Sequence, residues 1–364
     1  MHTPRPGLIA LGLLGLALAA CDHVSADNSG GPSGSGTARA TVSHSATPTA
    51  SSAAPAAALS PDADPIVTAE LKKFESCSIK AGFGFDFGCA ADAPEGFKAF
   101  ASKYVAGNSG QDAAKVQKLG KACLAVIGDA DAKVRIAAAD CLKSGFDVRV
   151  DATALDSLFT ALEAEKVAEA RTRLAWAIGK LALSGKNATR AVALIDKLKP
   201  AKEDRTIVAS LLEGLKRGEP NDAAIDAAIS LAGDDDRATA GYALELLERL
   251  KTRTPDACKA VEAVVVEKKT RWAGAASTLV RIDPACKPDY DKVVAAIAEK
   301  LEEEDKDGQL DRGSKILEVA QFVDKAKLSA GQKAKLSKAV TARTAKKLAG
   351  EEKELETLKK NLAK

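Results

Sequence analysis

One short pattern recurs along the chain and restricts its architecture more than any other feature. An arginine is followed three and four residues later by apolar, mostly small residues, and then by a leucine or its equivalent. The copies begin at Arg135 (Ala138, Ala139, Leu142), Arg171 (Leu174, Ala175, Ile178), Arg205 (Val208, Ala209, Leu212) and Arg237 (Ala240, Gly241, Leu244). A degenerate copy begins at Arg271 (Gly274, Ala275, Leu279). Offsets of three, four and seven put these residues on one helical face. The steps between the arginines are 36, 34, 32 and 34 residues. Near-constant spacing of that size predicts stacked helical repeats, each burying its apolar face on its neighbours.

Composition agrees with that reading. Aromatic residues make up only 4 % of the 364, too few for a β-sandwich core. A chain of this length exceeds what one compact core supports, whereas a solenoid grows by repetition. The net charge of +3 gives no field that selects nucleic acid, and no nucleic-acid partner is expected. The three histidines, His2, His23 and His44, all precede the repeats. The repeats therefore lack imidazole for a Cys-His or Ser-His pair or a zinc site. We expect neither an enzyme nor a cofactor.

The first twenty residues read as a signal peptide: a basic start at Arg5, then an apolar run from Leu8 to Leu18. The run is shorter than a permanent membrane-spanning helix requires. It ends in Leu18-Ala19-Ala20-Cys21, which resembles the bacterial lipobox. That resemblance implies acylation of Cys21 as the first mature residue, and a lipid-anchored location in the bacterial cell envelope, facing periplasm or exterior. Asp22 resembles an inner-membrane retention signal of some Gram-negative bacteria, and the choice between inner and outer membrane stays open. Ser, Gly, Ala, Thr and Pro dominate up to residue 64, so 21–64 is expected to be a disordered tether. Its reach as a flexible coil is roughly 35 Å.

Six further cysteines in an exported chain suggest disulfides. Cys77 and Cys89 bracket the loop Ala81-Gly82-Phe83-Gly84-Phe85-Asp86-Phe87-Gly88. Cys258 and Cys286 lie at adjoining ends of a helical hairpin. Cys123 and Cys141 pair by elimination, across the first hairpin. Metal ligation is the weaker alternative, because there is no CxxC and no nearby histidine.

Helical periodicity predicts helices at 66–78 and 94–105, which with the disulfide-closed loop form an N-terminal cap over 65–110. A binding tip at Phe83, Phe85 and Phe87 is the alternative. Six hairpins follow within 111–326: 111–127/131–144, 152–164/167–183, 188–198/202–217, 220–232/235–251, 255–267/269–282 and 288–304/312–324. Closing helices at 329–348 and 350–363 form a C-terminal cap over 327–364. The arginine should open the second helix of each hairpin and reach an acid or free carbonyls in a neighbouring repeat. Small residues after it let hairpins approach closely. Trp176 and Trp272 are expected to pack, and Asp234, Asp235 and Asp236 to cap a helix.

Over residues 111–285 the pattern resembles the HEAT-like repeat family, including the shorter form found in phycobilin lyases. Val134-Arg135 with Ala138, Ala139 and Leu142, and Asp236-Arg237 with Ala240 and Leu244, carry the resemblance. It implies a right-handed α-α solenoid of five to six hairpins serving as a protein-interaction surface. The leading expectation is a non-enzymatic scaffold that binds an unidentified envelope protein.

Two stretches offer alternatives. Glu303, Asp305, Asp307, Gly308, Gln309, Leu310 and Asp311 resemble part of an EF-hand loop, although the twelfth position is Ser314 rather than glutamate. A ligand- or calcium-binding lipoprotein would use this turn or the phenylalanine loop, and a solvated inter-helix turn is the plainer reading. From Lys325 onward twelve Lys or Arg face four Glu. That is expected to be a solvated outer helix face, with anionic lipid as the alternative contact.

Overall fold

Short polar residues set where the helices begin. Asp64, Asp112, Asn221, Asp236, Asp289 and Ser329 each accept backbone N–H bonds from the first turn that follows. Ser329 and Gln332 form a reciprocal capping box. In the computed structural model the described residues are 64–80, 86–89, 93–108, 110–143, 152–199, 201–250, 254–282, 286–303 and 309–364. The signal peptide, Cys21 and the tether up to residue 63 lie outside them, as do Phe83, Phe85, Asp305 and Asp307.

The described residues form helical pairs. After α1 (Pro65–Lys72) and α2 (Ala93–Tyr104) come α3 (Ala113–Ala125) with α4 (Ala132–Lys143), and α5 (Ala152–Ala164) with α6 (Ala168–Gly179). Next are α7 (Gly185–Leu198) with α8 (Arg205–Arg217), α9 (Asp222–Leu231) with α10 (Arg237–Glu248), and α11 (Thr254–Val266) with α12 (Trp272–Leu279). Then follow α13 (Tyr290–Glu302) with α14 (Gln309–Lys325), and α15 (Ala330–Ala345) with α16 (Glu352–Ala363). The second, or B, helices stack in one continuous series from α4 to α16. The first, or A, helices stack α3 on α5, and in series from α7 to α15. This neighbour-to-neighbour packing is an all-α, solenoid-like fold. The closing helices α15 and α16 continue both series, stacking on α13 and α14 as a seventh pair.

Burial follows from that stacking. Each B helix in the middle of the series is covered by the B helices before and after it and by its own A helix. In α8 every residue from Ile207 to Leu215 is buried. Gly179 meets α8 so closely that a Cβ there would lie 2.4 Å from the Ser210 carbonyl oxygen. A Cβ on Gly218 would strike the Leu183 backbone, and Leu183 N–H donates to the Gly214 carbonyl at 3.1 Å. Small residues on the inner face are thus a steric requirement of the spacing between hairpins. Trp272 is buried, while Trp176 is half-buried with the Arg173 guanidinium 4.6 Å over its ring.

Three disulfides staple the fold: Cys77–Cys89, Cys123–Cys141 and Cys258–Cys286. The first closes an antiparallel hairpin of β1 (Ser78–Lys80) and β2 (Asp86–Gly88). A second small hairpin joins β3 (Ala106–Gly107) to β4 (Gly110–Gln111). Neither was visible as a period-two pattern, since each strand has at most three residues. The helix expected at 66–78 stops at Lys72 and tightens into a 3₁₀ turn, Lys73–Ser76. Tyr104 ties the end of α2 to the start of α1, donating its hydroxyl to Asp64 at 2.6 Å. Burial and that hydrogen bond push its phenol up to about 12. The helix expected from 269 begins only at Trp272. Lys268 takes a left-handed φ of 56°, and Lys269 N–H turns back to the Val264 carbonyl, which closes α11 and delays its partner.

Candidate functional site

The repeat-marking arginines form a ladder. Arg135, in the first turn of α4, reaches Glu165 in the turn between α5 and α6. Its Nε lies 2.6 Å from Oε2 and its Nη2 2.9 Å from Oε1. Its Nη1 also donates to the carbonyls of Asp129 and Ala130. Arg171 Nη1 lies 2.9 Å from Asp204 Oδ1, just ahead of α8. Arg205 pairs with Asp234 in the turn between α9 and α10. Each arginine therefore fastens the turn of the next hairpin. Bidentate guanidinium geometry gives this link direction as well as energy. The turn acids are themselves fixed by the backbone. Glu165 accepts the N–H groups of Lys166 and Val167, and Asp234 accepts that of Asp236. Asp236 caps α10 through the Thr239 N–H.

Glu165 shows what the link does to charge. Burial by itself would raise its carboxyl, but the Arg135 hydrogen bonds and the two backbone donors outweigh it and hold the group below its ordinary value. The same ladder has a rung ahead of the first arginine that sequence reading missed. Lys72 Nζ lies 2.6 Å from Asp129 Oδ2, in the turn between α3 and α4. The signal was present in the sequence as an acid about thirty residues after Arg135, Arg171 and Arg205, in Glu165, Asp204 and Asp234.

The ladder changes at α11. The turn one hairpin on from Arg237 reads Glu267-Lys268-Lys269, and Glu267 pairs with Lys269 at 3.3 Å. A cleft of about 510 Å³ opens here, lined by Arg205, Gly233, Asp234, Asp235, Glu267 and Lys269 among others. Among the described residues Arg271 reaches no turn. It crosses to Glu318 on α14, with Nη2 3.3 Å from Oε1.

A second row of ion pairs joins consecutive B helices along their faces. It runs Asp140–Arg173, Lys180–Glu213, Lys216–Glu245, Glu248–Arg281 and Asp324–Lys364. Glu213 is buried, which favours its neutral form, yet Lys180 and Arg217 hold it ionised below its ordinary value. At the far end Arg343 and Glu351, 2 % and 0 % exposed, form a bidentate pair, with Arg312 beside it.

The acidic turn offers a different picture from the one its spacing suggests. Asp305 and Asp307 lie outside the described residues, as do the side chains of Gln309 and Asp311, whose backbones open α14. Glu303 is described: Lys300 holds its carboxylate at 2.6 Å, and its carbonyl accepts from Arg343 and Lys346. Among the described residues no group of three His, Cys, Asp or Glu is placed to hold a metal ion, and no helix is long and apolar enough to cross a membrane. Comparison of the chain with protein-family models and with curated proteins returns no match, so the functional reading rests on this geometry.

Proposed function

We propose that the chain is a non-enzymatic interaction scaffold, lipid-anchored at Cys21 in a bacterial cell envelope. The observation that carries this reading is the continuity of the B-helix stack. Ion-pair rungs on its turn edge and its face join the first four hairpins, and single pairs carry the series on to the seventh. A repeat stack of this kind offers an extended surface, and one long face binds a protein partner better than it hosts a reaction. The HEAT-like resemblance and the order Leu18-Ala19-Ala20-Cys21 support the partner class and the location. Calcium binding at 303–311 is the competing reading. The cations on Glu303 oppose it, since Lys300, Arg343 and Lys346 already hold that residue's oxygens.

Crosslinking and recovery of the lipidated chain from native membranes tests the scaffold. We expect a discrete envelope protein to be enriched over a control carrying the same signal peptide and tether on another domain; equal recovery from both would overturn the reading. Replacing Cys21 by serine should move the chain from the membrane to the soluble fraction. Calcium titration of the wild type beside Asp305→Ala/Asp307→Ala should leave the thermal midpoint unchanged in both, and a shift confined to the wild type would favour the calcium reading.

A further inference from the structure

Among the described residues the fifth arginine fastens no turn, and its surroundings suggest a different job. Arg271 lies over two glycines at the small-residue positions of neighbouring repeats. A Cβ on Gly274 would sit 3.2 Å from its Nη2, and one on Gly241 would sit 3.8 Å from its Nε. With no side chains there, the Arg271 side chain has room close to Gly241 of α10 and Gly274 of α12. Its Nε is buried and has no hydrogen-bond partner. Its one acidic contact, to Glu318 Oε1, is long at 3.3 Å. Among the described residues its five N–H donors meet a single long acceptor.

Glu318 does not neutralise this place well. Its carboxyl is held above the ordinary glutamate value by burial, although Arg271, Arg237, Arg281 and Lys315 all act to lower it. Arg281, one helix end away, is occupied by Glu248, Ser277 and Gln321. These four cations act on one carboxylate whose burial still keeps it above its ordinary value. Beside them stands Leu317, 44 % exposed and one turn from Gln321 on α14, one of two exposed large apolar side chains among the described residues.

We infer that the face of α10, α12 and α14 is where the scaffold takes its partner, and that it takes an acidic segment whose carboxylate displaces Glu318 from Arg271. This rests on the scaffold reading and adds the place and the chemistry of the contact. Charge complementarity selects the occupant, because a planar guanidinium with free donors matches a carboxylate bidentately. The resident Glu318 shows that a carboxylate fits the position. Leu317 supplies an apolar contact next to the charged one, the pairing that hot spots favour.

The test uses the lipidated full-length chain in detergent micelles and a fluorescein-labelled deca-glutamate peptide, followed by anisotropy at low ionic strength. Wild type should bind saturably. Glu318→Gln removes the competing charge and should tighten binding roughly fivefold to tenfold. Arg271→Gln should weaken it at least roughly tenfold. Lys338→Gln, an exposed lysine on α15, should change nothing. Weakening by Lys338→Gln equal to that of Arg271→Gln would mean unspecific charge attraction and would overturn the site. Indifference to Glu318→Gln would overturn it as well, and that variant keeps the test decisive if Arg271→Gln folds poorly. Displacement of the peptide by inorganic phosphate at similar concentration would assign the place to oxyanions and overturn the peptide. If membrane crosslinking captures a partner that Glu318→Gln and Arg271→Gln leave unaffected, the scaffold stands and the site falls. If no partner is captured, the scaffold itself falls.

Discussion

The front and rear of the stack use the same residue for different ends. From α4 to α8 an arginine at the head of a B helix meets an acid in the next turn, at Glu165, Asp204 and Asp234. Further along, the turn between α11 and α12 reads Glu267-Lys268-Lys269, and Arg271 folds over Gly241 and Gly274 toward Glu318. The arginine position is repeated in both regions. What differs, among the described residues, is whether the arginine reaches a carboxylate in a turn or one on a helix face. A satisfied arginine is a structural rivet, whereas an under-satisfied one leaves positive potential on the surface. The rear is held together by other means, above all by the buried Arg343–Glu351 pair.

Breaking that pair should have the largest effect. Glu351→Ala leaves the Arg343 cation buried without its carboxylate, at a cost of about 3–5 kcal/mol. Hydrogen exchange should quicken in α15 and α16 while α6 and α8 stay protected; uniform loss of protection would mean that front and rear are not separable. Next comes the contrast between rungs. Arg135→Gln strands Glu165, whose side chain is 3 % exposed, and should cost about 2–3 kcal/mol in denaturant unfolding. Arg271→Gln gives up one long contact and should cost less than about 1 kcal/mol. Equal costs would dissolve the distinction. The steric comparison is Gly179→Ala against Gly241→Ala. The first forces the Ser210 backbone away and should cost about 1–3 kcal/mol. The second meets only Arg271 Nε at 3.8 Å and should stay within about 0.5 kcal/mol of wild type.

Acid titration gives the smallest effects and opposite signs. Glu165 is depressed in the fold, so its contribution is present above the ordinary value of 4.5 and is lost as pH falls through its lower folded value. The stability difference between wild type and Glu165→Gln should therefore be greatest near neutral pH and shrink on acidification. Glu318 is raised, so its protonated form stabilises below 4.5 and that contribution disappears as pH rises through its folded value. Glu318→Gln should be more stable than wild type near neutral pH and converge with it in acid. Parallel pH profiles for the two variants would contradict both assignments.

Much of the stack was readable from residues near each other in sequence. Asn221, Asp236 and Ser329 announce helix starts because a side chain caps N–H groups two or three residues on. Cys258 and Cys286 flank a hairpin whose length brings them together. Other features left little trace. The three-residue strands that Cys77–Cys89 closes are too short for an alternating pattern. Arg343 sits among lysines in a basic stretch that reads as solvated surface, yet it is 2 % exposed because α15 and α16 fold together around Glu351. Lys72 looks like any surface lysine until α1 lies against α3 and α4 and carries it to Asp129.

The sequence by itself determined the repeat length, the helical class, the order of the hairpins and the arginine at the head of each B helix from α4 to α12. Those follow from periodicity and capping, which act over a few residues and are written into local order. The tertiary structure alone decided which arginines are satisfied and which one is not. A guanidinium's partner depends on where the next turn or helix lies, and Arg271 finds Glu318 across 47 residues only because α12 and α14 are packed side by side.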